Sequence, residues 1–273
     1  MSFSLSDVTR AAHALWPLSG AEAWDAPGLV SGDPSRVITS VHFAVDPVAD
    51  TVTEAISGGA GLLIVHHPLL LRGVTSVAED SYKGALLSRL IRADCGLLTA
   101  HTNADIVAGG VSDTFATRLG LVNLRPLVVG ASPEVGLGRV GELAEPITLG
   151  RLAHRLSALL PSTASGIRVS GEYSRSVSTV SLCGGAGDSL LRERAVVESD
   201  VYITSDLRHH PASEAREQAL LTDGTPALID VSHWASEWLW LDAAAEQLRC
   251  ALPGLNITVS ELNTDPWDFV VMA

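Results

Sequence analysis

The stretch Gly61-Leu62-Leu63-Ile64-Val65-His66-His67-Pro68 organises the rest of the chain. Its apolar run predicts a buried strand, and Pro68 prevents the strand ladder from continuing. Because neighbouring side chains on an extended chain point to opposite sides, His66 and His67 cannot reach the same point without a turn. The pair therefore suits one ligand for each of two metal ions. A polar strand end exposed to solvent is the alternative.

The composition limits the class of protein. The chain has 273 residues, of which 47% are hydrophobic and 18% charged, as is typical of a globular protein with a proper core. The 18 basic and 31 acidic residues give a net charge of -13. This charge argues against non-specific binding of nucleic acid or of an anionic membrane, and it suits an acidic cluster that holds cations.

The cysteines and the N-terminus predict a compartment. Cys95, Cys183 and Cys250 lie far apart and form no CxxC pair, which favours a reducing compartment over a disulfide framework. Residues 1–10 lack the basic-then-apolar order of a signal peptide, and no apolar run approaches the ~20 residues that span a bilayer. We therefore expect a soluble cytoplasmic protein without a membrane partner.

Strand and helix patterns alternate through the first part of the chain. Residues 36–45, 61–65 and 96–100 have the pattern of strands, and helical periods lie between them at 48–57 and 82–94. This order predicts a largely parallel sheet with helices on its faces. In such sheets ligands bind beyond the carboxyl ends of the strands.

A change in the pattern of residue types near Pro126 predicts a second α/β module. We expect an α/β fold of two modules, with mixed or parallel sheets flanked by helices. Residues 1–126 and 226–273 would form the first module, which carries most of the metal ligands. Residues 127–225 would form the second.

The histidines gather at equivalent positions. Six of the nine fall just past a predicted apolar strand: His66, His67, His101, His209, His210 and His233. Scattered core histidines would not do so, and the clustering therefore favours a metal site. The other three are expected to be structural or surface residues: His13, His42 and His154.

Two of these histidines have a carboxylate four residues later. If their segment is helical, His101 and Asp105 face one way and could share a metal or its surroundings, although plain turn residues are the alternative. His233 and Glu237 have the better helical context, with a surface ion pair as the alternative. Asp105 and Glu237 are therefore candidate metal ligands in addition to His66 and His67.

Four histidines and two carboxylates from three strand ends are more than one metal needs. A single Zn takes three or four ligands, and the surplus therefore favours two divalent ions ~3.5–4 Å apart with a bridging water. Histidine and carboxylate without thiolate suit Fe, Mn, Zn or Co. Competing motifs are poor, because Gly185–Leu190 lacks the third glycine of a dinucleotide fingerprint and the chain has no GxxxxGK[ST], GxSxG or HExxH motif.

Short motifs recur over nearly the whole chain: Trp24-Asp25 with Gly28-Leu29, Val65-His66-His67-Pro68-Leu69, His101-Thr102-Asn103 with Asp105, Gly138-Arg139-Val140-Gly141, Gly185-Ala186-Gly187, Ser205-Asp206 with His209-His210, and Asp230 with His233 and Glu237. Together they resemble the ring-forming dinuclear-metal-centre proteins known as GTP cyclohydrolase 1 type 2 homologues. Two positions depart from that family. Ala26 stands where the family usually has Asn, and Ser205 stands where it usually has Gly; neither is an expected ligand.

The resemblance implies an assembly and a set of ligands. The assembly would be a homohexameric ring, a trimer of dimers, with metals between the modules of each chain. His66 and Asp105 would bind one metal, His67 and His233 the other, and Glu237 would bridge both. The remaining histidine, at position 101, would support a ligand or be an optional one.

Two classes of function remain open. In the first, a hydroxide that bridges the metals attacks an electrophilic carbon of a small-molecule substrate, and the family label implies ring opening in GTP with loss of formate. The candidate catalytic residues are Glu237, His101, Asp206, His209 and His210. In the second, a metal-loaded hexameric ring acts as an adaptor, chaperone or regulator without catalysis. A ring that threads nucleic acid is disfavoured by the net charge of -13.

Overall fold

A computed structural model describes residues 2–271 of the chain. Within them the strands are β1 (Phe3–Ser4), β2 (Gly28–Ser31), β3 (Val37–Ile38), β4 (Ser40–Ala44), β5 (Leu62–Val65), β6 (Gly96–Thr99), β7 (Leu121–Ser132), β8 (Val135–Thr148), β9 (Arg168–Ser170), β10 (Ser176–Ala186), β11 (Val201–Ser205), β12 (Ala227–Val231) and β13 (Asn256–Val259). The helices are α1 (Leu5–Leu15), α2 (Ala49–Ser57), α3 (Tyr82–Arg92), α4 (Thr102–Asp105), α5 (Val111–Leu119), α6 (Leu149–Leu159), α7 (Arg194–Val197), α8 (His209–Ala219) and α9 (His233–Ala251). The predicted mixed α/β class is confirmed.

The chain divides into two compact units. The first comprises Met1–Ala104 and Leu241–Thr264, and the second comprises Asp105–Trp240 and Asp265–Ala273. These limits differ from the expected modules 1–126 plus 226–273 and 127–225. The physical reason is strand pairing, because β12 runs parallel to β11 within the sheet of the second unit.

The first unit contains a five-stranded sheet in the order β13-β4-β5-β6-β2. The strands β13, β4, β5 and β6 are parallel, and β2 is antiparallel to β6. All four residues of β5 are fully buried, as a strand covered on both faces requires. One face packs Leu63 and Val65 against buried residues of α2 and α3, which include Val52 and Leu90. Such burial is worth about 1.5–3 kcal/mol for each large apolar side chain.

The second unit contains a six-stranded mixed sheet in the order β7-β8-β10-β11-β12-β9. Here β10, β11 and β12 are parallel, while β7, β8 and β9 join by antiparallel pairing. The sequence did not predict the long β7–β8 hairpin, because β8 is rich in glycine. Close approach of the two strands explains that composition, since a Cβ at Gly136 would lie only 2.1 Å from the carbonyl oxygen of Val128.

Local sequence signals define the helix ends. Ser4 and Asp7 form a reciprocal capping box at the start of α1. Gly120 ends α5 in the left-handed conformation, with φ of 79°. Within residues 2–271, no helix is long and apolar enough to cross a membrane.

Candidate metal centre

Three parallel strands bring the histidines of the first unit to one edge of its sheet. Ala44 of β4 pairs with Val65 of β5, and Val65 pairs in turn with Thr99 of β6. The strands therefore end level with one another, and the residues that follow them meet beyond their carboxyl ends. His66 and His67 follow β5 directly, and His101 lies two residues after β6.

The structure brings these three histidines into one group. Each of His66, His67 and His101 offers a ring nitrogen, and the three nitrogens lie within 4.8 Å of one another. The ring centroids are 5.1 Å apart for His66 and His67, 5.2 Å for His66 and His101, and 5.7 Å for His67 and His101. His66 is only 1% exposed. A group of this size and chemistry could bind a metal ion.

Hydrogen bonds fix the orientation of His66 and His67. The Nδ1 of His66 lies 2.8 Å from the carbonyl oxygen of Ala100, and the Nδ1 of His67 lies 2.7 Å from Oδ1 of Asp46. Carbonyl and carboxylate oxygens only accept, and Nδ1 is therefore the protonated donor in both rings. This tautomer leaves the lone pair of each ring on Nε2, the atom that a metal would take.

His101 is held in the same way by Asp25. Its Nδ1 donates to Oδ1 of Asp25 over 2.9 Å, while Oδ2 of Asp25 accepts from the backbone N and the hydroxyl of Thr102 at 3.1 and 2.5 Å. The Asp25 side chain is fully buried. The indole of Trp24 stands edge-on to the imidazole of His101, with 5.9 Å between the centroids. Asp25 thus fixes both the ring and the start of α4.

The surroundings of His101 favour its neutral form. Burial, together with charge on His66 and His67, lowers the pKa of this imidazole to about 4, although the carboxylate of Asp25 acts in the opposite direction. A neutral imidazole at pH 7 keeps its lone pair available to a metal.

A second group of candidate residues lies in the second unit. Ser205 at the end of β11 pairs with Val231 at the end of β12, and Asp206 and His233 therefore both follow at the carboxyl edge of that sheet. His233 begins α9, and Glu237 lies one helical turn further on. The predicted helical context of this pair is confirmed.

His233 contacts a carboxylate at each ring nitrogen. Its Nδ1 donates to Oδ2 of Asp206 over 2.7 Å, and its Nε2 lies 2.9 Å from Oε1 of Glu237. Two ligand atoms bound to one metal at about 2.0–2.2 Å lie roughly 3 Å apart or slightly more. The Nε2 and Oε1 atoms therefore already have a spacing that suits two ligands of one ion.

The electrostatics of His233 are opposite to those of His101. Burial alone would lower the pKa of His233, but Glu237 and Asp206 together raise it to about 11. The imidazole is therefore protonated at pH 7 in the absence of a metal. A metal that binds to Nε2 must displace this proton.

Gly185 makes room for the carboxylate of Glu237. It has a φ of 69°, and a Cβ at this position would lie 2.4 Å from Oε1 of Glu237. Its backbone N also donates to the hydroxyl of Ser236 over 2.9 Å. At the end of β10 the backbone thus closely approaches the site.

Asp105 and Glu237 lie near the same buried thiol. Burial raises the pKa of Cys183 to about 12, and the charges of Asp105 and Glu237 contribute in the same direction. Both predicted carboxylate ligands therefore belong to one neighbourhood in the second unit.

Arg139 fixes the backbone that follows Asp105. Its guanidinium is 2% exposed, donates to Oδ1 of Asp113 over 2.7 Å and donates to the carbonyl oxygen of Val107 over 3.0 Å. It also donates to the carbonyl oxygen of Gly136 over 2.7 Å. A buried charge with this many acceptors holds the segment in one conformation.

His209 and His210 are not members of the two groups described above. They begin α8, are exposed, and stand edge-to-face with 5.2 Å between their ring centroids. Among the residues that the structure describes, neither belongs to a group of side chains close enough to hold a metal. Their role as acid–base or substrate groups stays a prediction. His42, expected to be a structural or surface residue, is buried and bonds to Thr258 and Glu54 at 2.8 and 3.0 Å.

Sequence reasoning did not single out Asp25 and Asp46 as site residues. Asp46 lies two residues past β4, at the same strand edge as the histidines, and this position was the available signal. Asp25 has no strand-end position, because a loop distant in sequence brings it to His101; its signal was the Trp24-Asp25 motif of the family resemblance. Asp206 was expected to serve in acid–base chemistry or substrate binding, and the structure shows it in contact with His233.

Comparison with known proteins identifies the family. The family model for Duf34/NIF3 (NGG1p interacting factor 3) matches residues 3–266. A GTP cyclohydrolase 1 type 2 homolog of Streptomyces coelicolor is 48% identical over 270 residues, which cover 96% of this chain and 93% of the relative.

Comparison with solved structures also finds proteins of the same fold. The Bacillus cereus protein related to NIF3 has a TM-score of 0.88 at 22% identity, over 98% of this chain and 99% of the other, and shows the same fold. The Staphylococcus aureus protein SA1388 has a TM-score of 0.87 at 26% identity, over the same shares of the two chains. The chain therefore belongs to the Duf34/NIF3 family, and its relatives include proteins named GTP cyclohydrolase 1 type 2 homolog.

Proposed function

We propose that this protein is a metal-dependent hydrolase of the GTP cyclohydrolase 1 type 2 homologue type, with two divalent ions of Fe, Mn, Zn or Co. When bound, such ions would lower the pKa of a water molecule and so supply the nucleophile. The ligands would be His66, His67, Asp105, His233 and Glu237. This ligand set and the number of ions are the part of the proposal that the resemblance supplies.

One observation carries the proposal. Each of the four clustered histidines donates its Nδ1–H to a carbonyl or carboxylate oxygen, over distances of 2.7–2.9 Å: His66, His67, His101 and His233. Oxygen partners of this kind set the ring orientation and raise the basicity of Nε2, as they do around metal-bound histidines. Unrelated surface or core histidines have no reason to share this Nδ1–H···O arrangement.

The carboxylates of Glu237 and Asp206 have different roles in this proposal. Glu237 is 3% exposed, and a buried carboxylate needs a cation or a proton beside it. It is therefore suited to bridge two cations, as the resemblance implies. Asp206 would hold His233 as a ligand and stabilise positive charge that develops on its ring.

The substrate class follows from the relatives by analogy. Their name points to a reaction in which the ring of GTP is opened with loss of formate, and we propose a small-molecule substrate attacked at an electrophilic ring carbon. His101 would lie beside the reacting centre. Asp206, His209 and His210 are the remaining candidates for proton transfer or substrate contact.

Metal analysis and a turnover assay together test the proposal. Full-length protein, purified anaerobically and supplemented with Fe, Mn, Zn or Co, is expected to hold two ions per chain by elemental analysis. It should release formate from GTP faster than a Glu237→Ala variant. Metal-free protein after supplementation would overturn the metal centre, whereas turnover no higher than that of the variant would overturn GTP as the substrate.

The assembly is a separate proposal. We propose a homohexamer, and sedimentation equilibrium should then give six times the mass of one chain. Ligand substitutions that change assembly or partner binding, in a protein with no turnover of any tested nucleotide, would favour the adaptor, chaperone or regulator hypothesis over the hydrolase. A monomeric mass at all concentrations would contradict the ring.

A further inference from the structure

A basic cavity lies beside α8 in the second unit. Its volume is 370 Å³, and its apolar lining residues are Leu207 and Ala212. The polar side chains that line it are Arg168, Ser170, His209, Ser213 and Arg216. We call this cavity the α8 pocket. None of the metal ligands proposed above lines it.

The secondary structure explains why these side chains converge. His209, Ala212, Ser213 and Arg216 are spaced by three and four residues along α8 and therefore share one helix face. Arg168 and Ser170 alternate on β9 and therefore share one face of that strand. β9 is the edge strand next to β12, and the α8 pocket thus lies between one helix face and one strand face.

The lining of the α8 pocket is cationic and carries no carboxylate. An adjoining cavity of 150 Å³ shares Arg168 and adds Asp230, which forms an ion pair with Arg168 and accepts from the backbone N of Leu207 over 3.1 Å. Asp230 therefore orients one guanidinium toward the pocket and offsets part of its charge. Arg216 has no ion-pair partner among residues 2–271.

The charge of the whole chain makes this lining notable. With 31 acidic and 18 basic residues, the general surface repels anions. A cavity lined by two guanidiniums, an imidazole and two hydroxyls, without an acid, concentrates the opposite potential at one place. Guanidiniums bind the paired oxygens of phosphate and carboxylate groups in a bidentate manner, and serine hydroxyls add single donors.

We propose that the α8 pocket binds an oxyanion, the phosphate or carboxylate group of a small-molecule ligand. Arg216 supplies the main charge, Arg168 a second guanidinium, and Ser170 and Ser213 donate hydroxyl hydrogen bonds. Leu207 and Ala212 give the apolar lining on which the rest of the ligand lies.

The pocket is also close to the second candidate group along the chain. Leu207 follows Asp206 directly, and Asp230 lies three residues before His233, at the ends of neighbouring parallel strands. The oxyanion would therefore be the charged end of the substrate of the metal centre. This last step rests on the proposed function, whereas binding of the oxyanion does not.

Calorimetric titration of the full-length protein with inorganic phosphate and, in a second arm, with acetate tests the proposal at low salt. Arg216→Gln should weaken binding about tenfold, as expected for loss of a charge-assisted hydrogen bond. Ser213→Asp places a carboxylate in the pocket at an exposed helix position and should abolish binding. Arg192→Gln, an exposed arginine outside the α8 pocket, is the matched control and should bind like the wild type.

Phosphate binding without acetate binding identifies a phosphate site, and the reverse identifies a carboxylate site; both support the pocket. Binding of neither anion, or equal binding in all variants with unchanged thermal unfolding, overturns it. Because the titration measures binding rather than turnover, a failed GTP assay leaves this result intact. Loss of phosphate binding in Arg216→Gln with unchanged turnover would separate the pocket from the metal centre.

Discussion

The histidine group of the first unit and the carboxylate group of the second differ in their electrostatics. In the first, burial and the neighbouring imidazoles outweigh the carboxylate of Asp25 and lower the pKa of His101 to about 4. In the second, Glu237 and Asp206 outweigh burial and raise the pKa of His233 to about 11. The same side chain is therefore neutral in one group and protonated in the other at pH 7, because its neighbours differ.

This difference in protonation determines how each group would bind a metal ion. Neutral imidazoles offer lone pairs at once and favour borderline metals such as Zn or Fe. The carboxylate group offers negative charge but must first lose the proton that His233 and Glu237 hold between them. Selectivity would then come from the first group and charge neutralisation from the second.

The largest expected effect is on Glu237. Replacement of Glu237 by Ala removes the buried carboxylate that is expected to bridge both ions, and metal affinity should fall by more than about 100-fold. Competition with a chelator and elemental analysis measure this loss. Glu214→Ala, at an exposed position of α8, is the control and should keep its metal. Full metal content in the Glu237→Ala protein would rule out a ligand role.

A smaller difference should separate two histidines of the first group. His66→Ala removes an expected direct ligand, whereas His101→Ala removes one that the resemblance makes optional. We therefore expect the His66 variant to lose at least one ion per chain and the His101 variant to keep both with affinity lowered about tenfold. Elemental analysis of the two variants, side by side, measures this difference in metal content. Equal loss in both would make His101 a full ligand.

A substitution that removes only the charge of Asp206 tests whether this residue acts through His233. Asp206→Asn keeps the shape of the side chain and tolerates the positive φ of 56° at this position, but removes the charge that helps raise the pKa of His233. Metal affinity should fall about 10- to 100-fold. Asp223→Asn, whose φ is 57°, is the matched control. If both variants bind metal like the wild type, Asp206 does not act through His233.

The smallest expected effect is on the pH dependence of stability in metal-free protein. The raised pKa of His233 contributes stability that is complete below pH 6.5 and is lost as the pH rises toward about 11. The lowered pKa of His101 costs stability as the pH falls from 6.5 toward about 4. The free energy of unfolding in urea should therefore be highest near pH 6.5. A monotonic pH profile would show that the two groups do not differ in this way.

Much of the candidate site could be predicted because its residues stand in regular local patterns. His66 and His67 come directly after an apolar run, and the strand that ends before them exists at Leu62–Val65. Spacing of four residues on a helix placed His233 and Glu237 together, and their atoms lie 2.9 Å apart. Period and spacing are properties of consecutive residues, and they can therefore be read without a fold.

Other features depended on partners that are distant along the chain. Asp25 and His101 are separated by 76 positions in the sequence, and no local pattern predicts their contact. The strand Ala227–Val231 was expected in the first module, but it pairs with β11 in the second unit. Pairing depends on register and long-range packing, which a single sequence does not encode in any short window.

The sequence by itself determined the family, the α/β class and the residue types that gather at strand ends, since these follow from motif and period. Only the tertiary structure decided the charge state of each group. Whether a histidine is held neutral by burial, like His101, or protonated by carboxylates, like His233, depends on what packs against it. His66 and His67 are recognisable from their place after an apolar run, but the partners that orient their rings, Ala100 and Asp46, are brought to them by the tertiary structure.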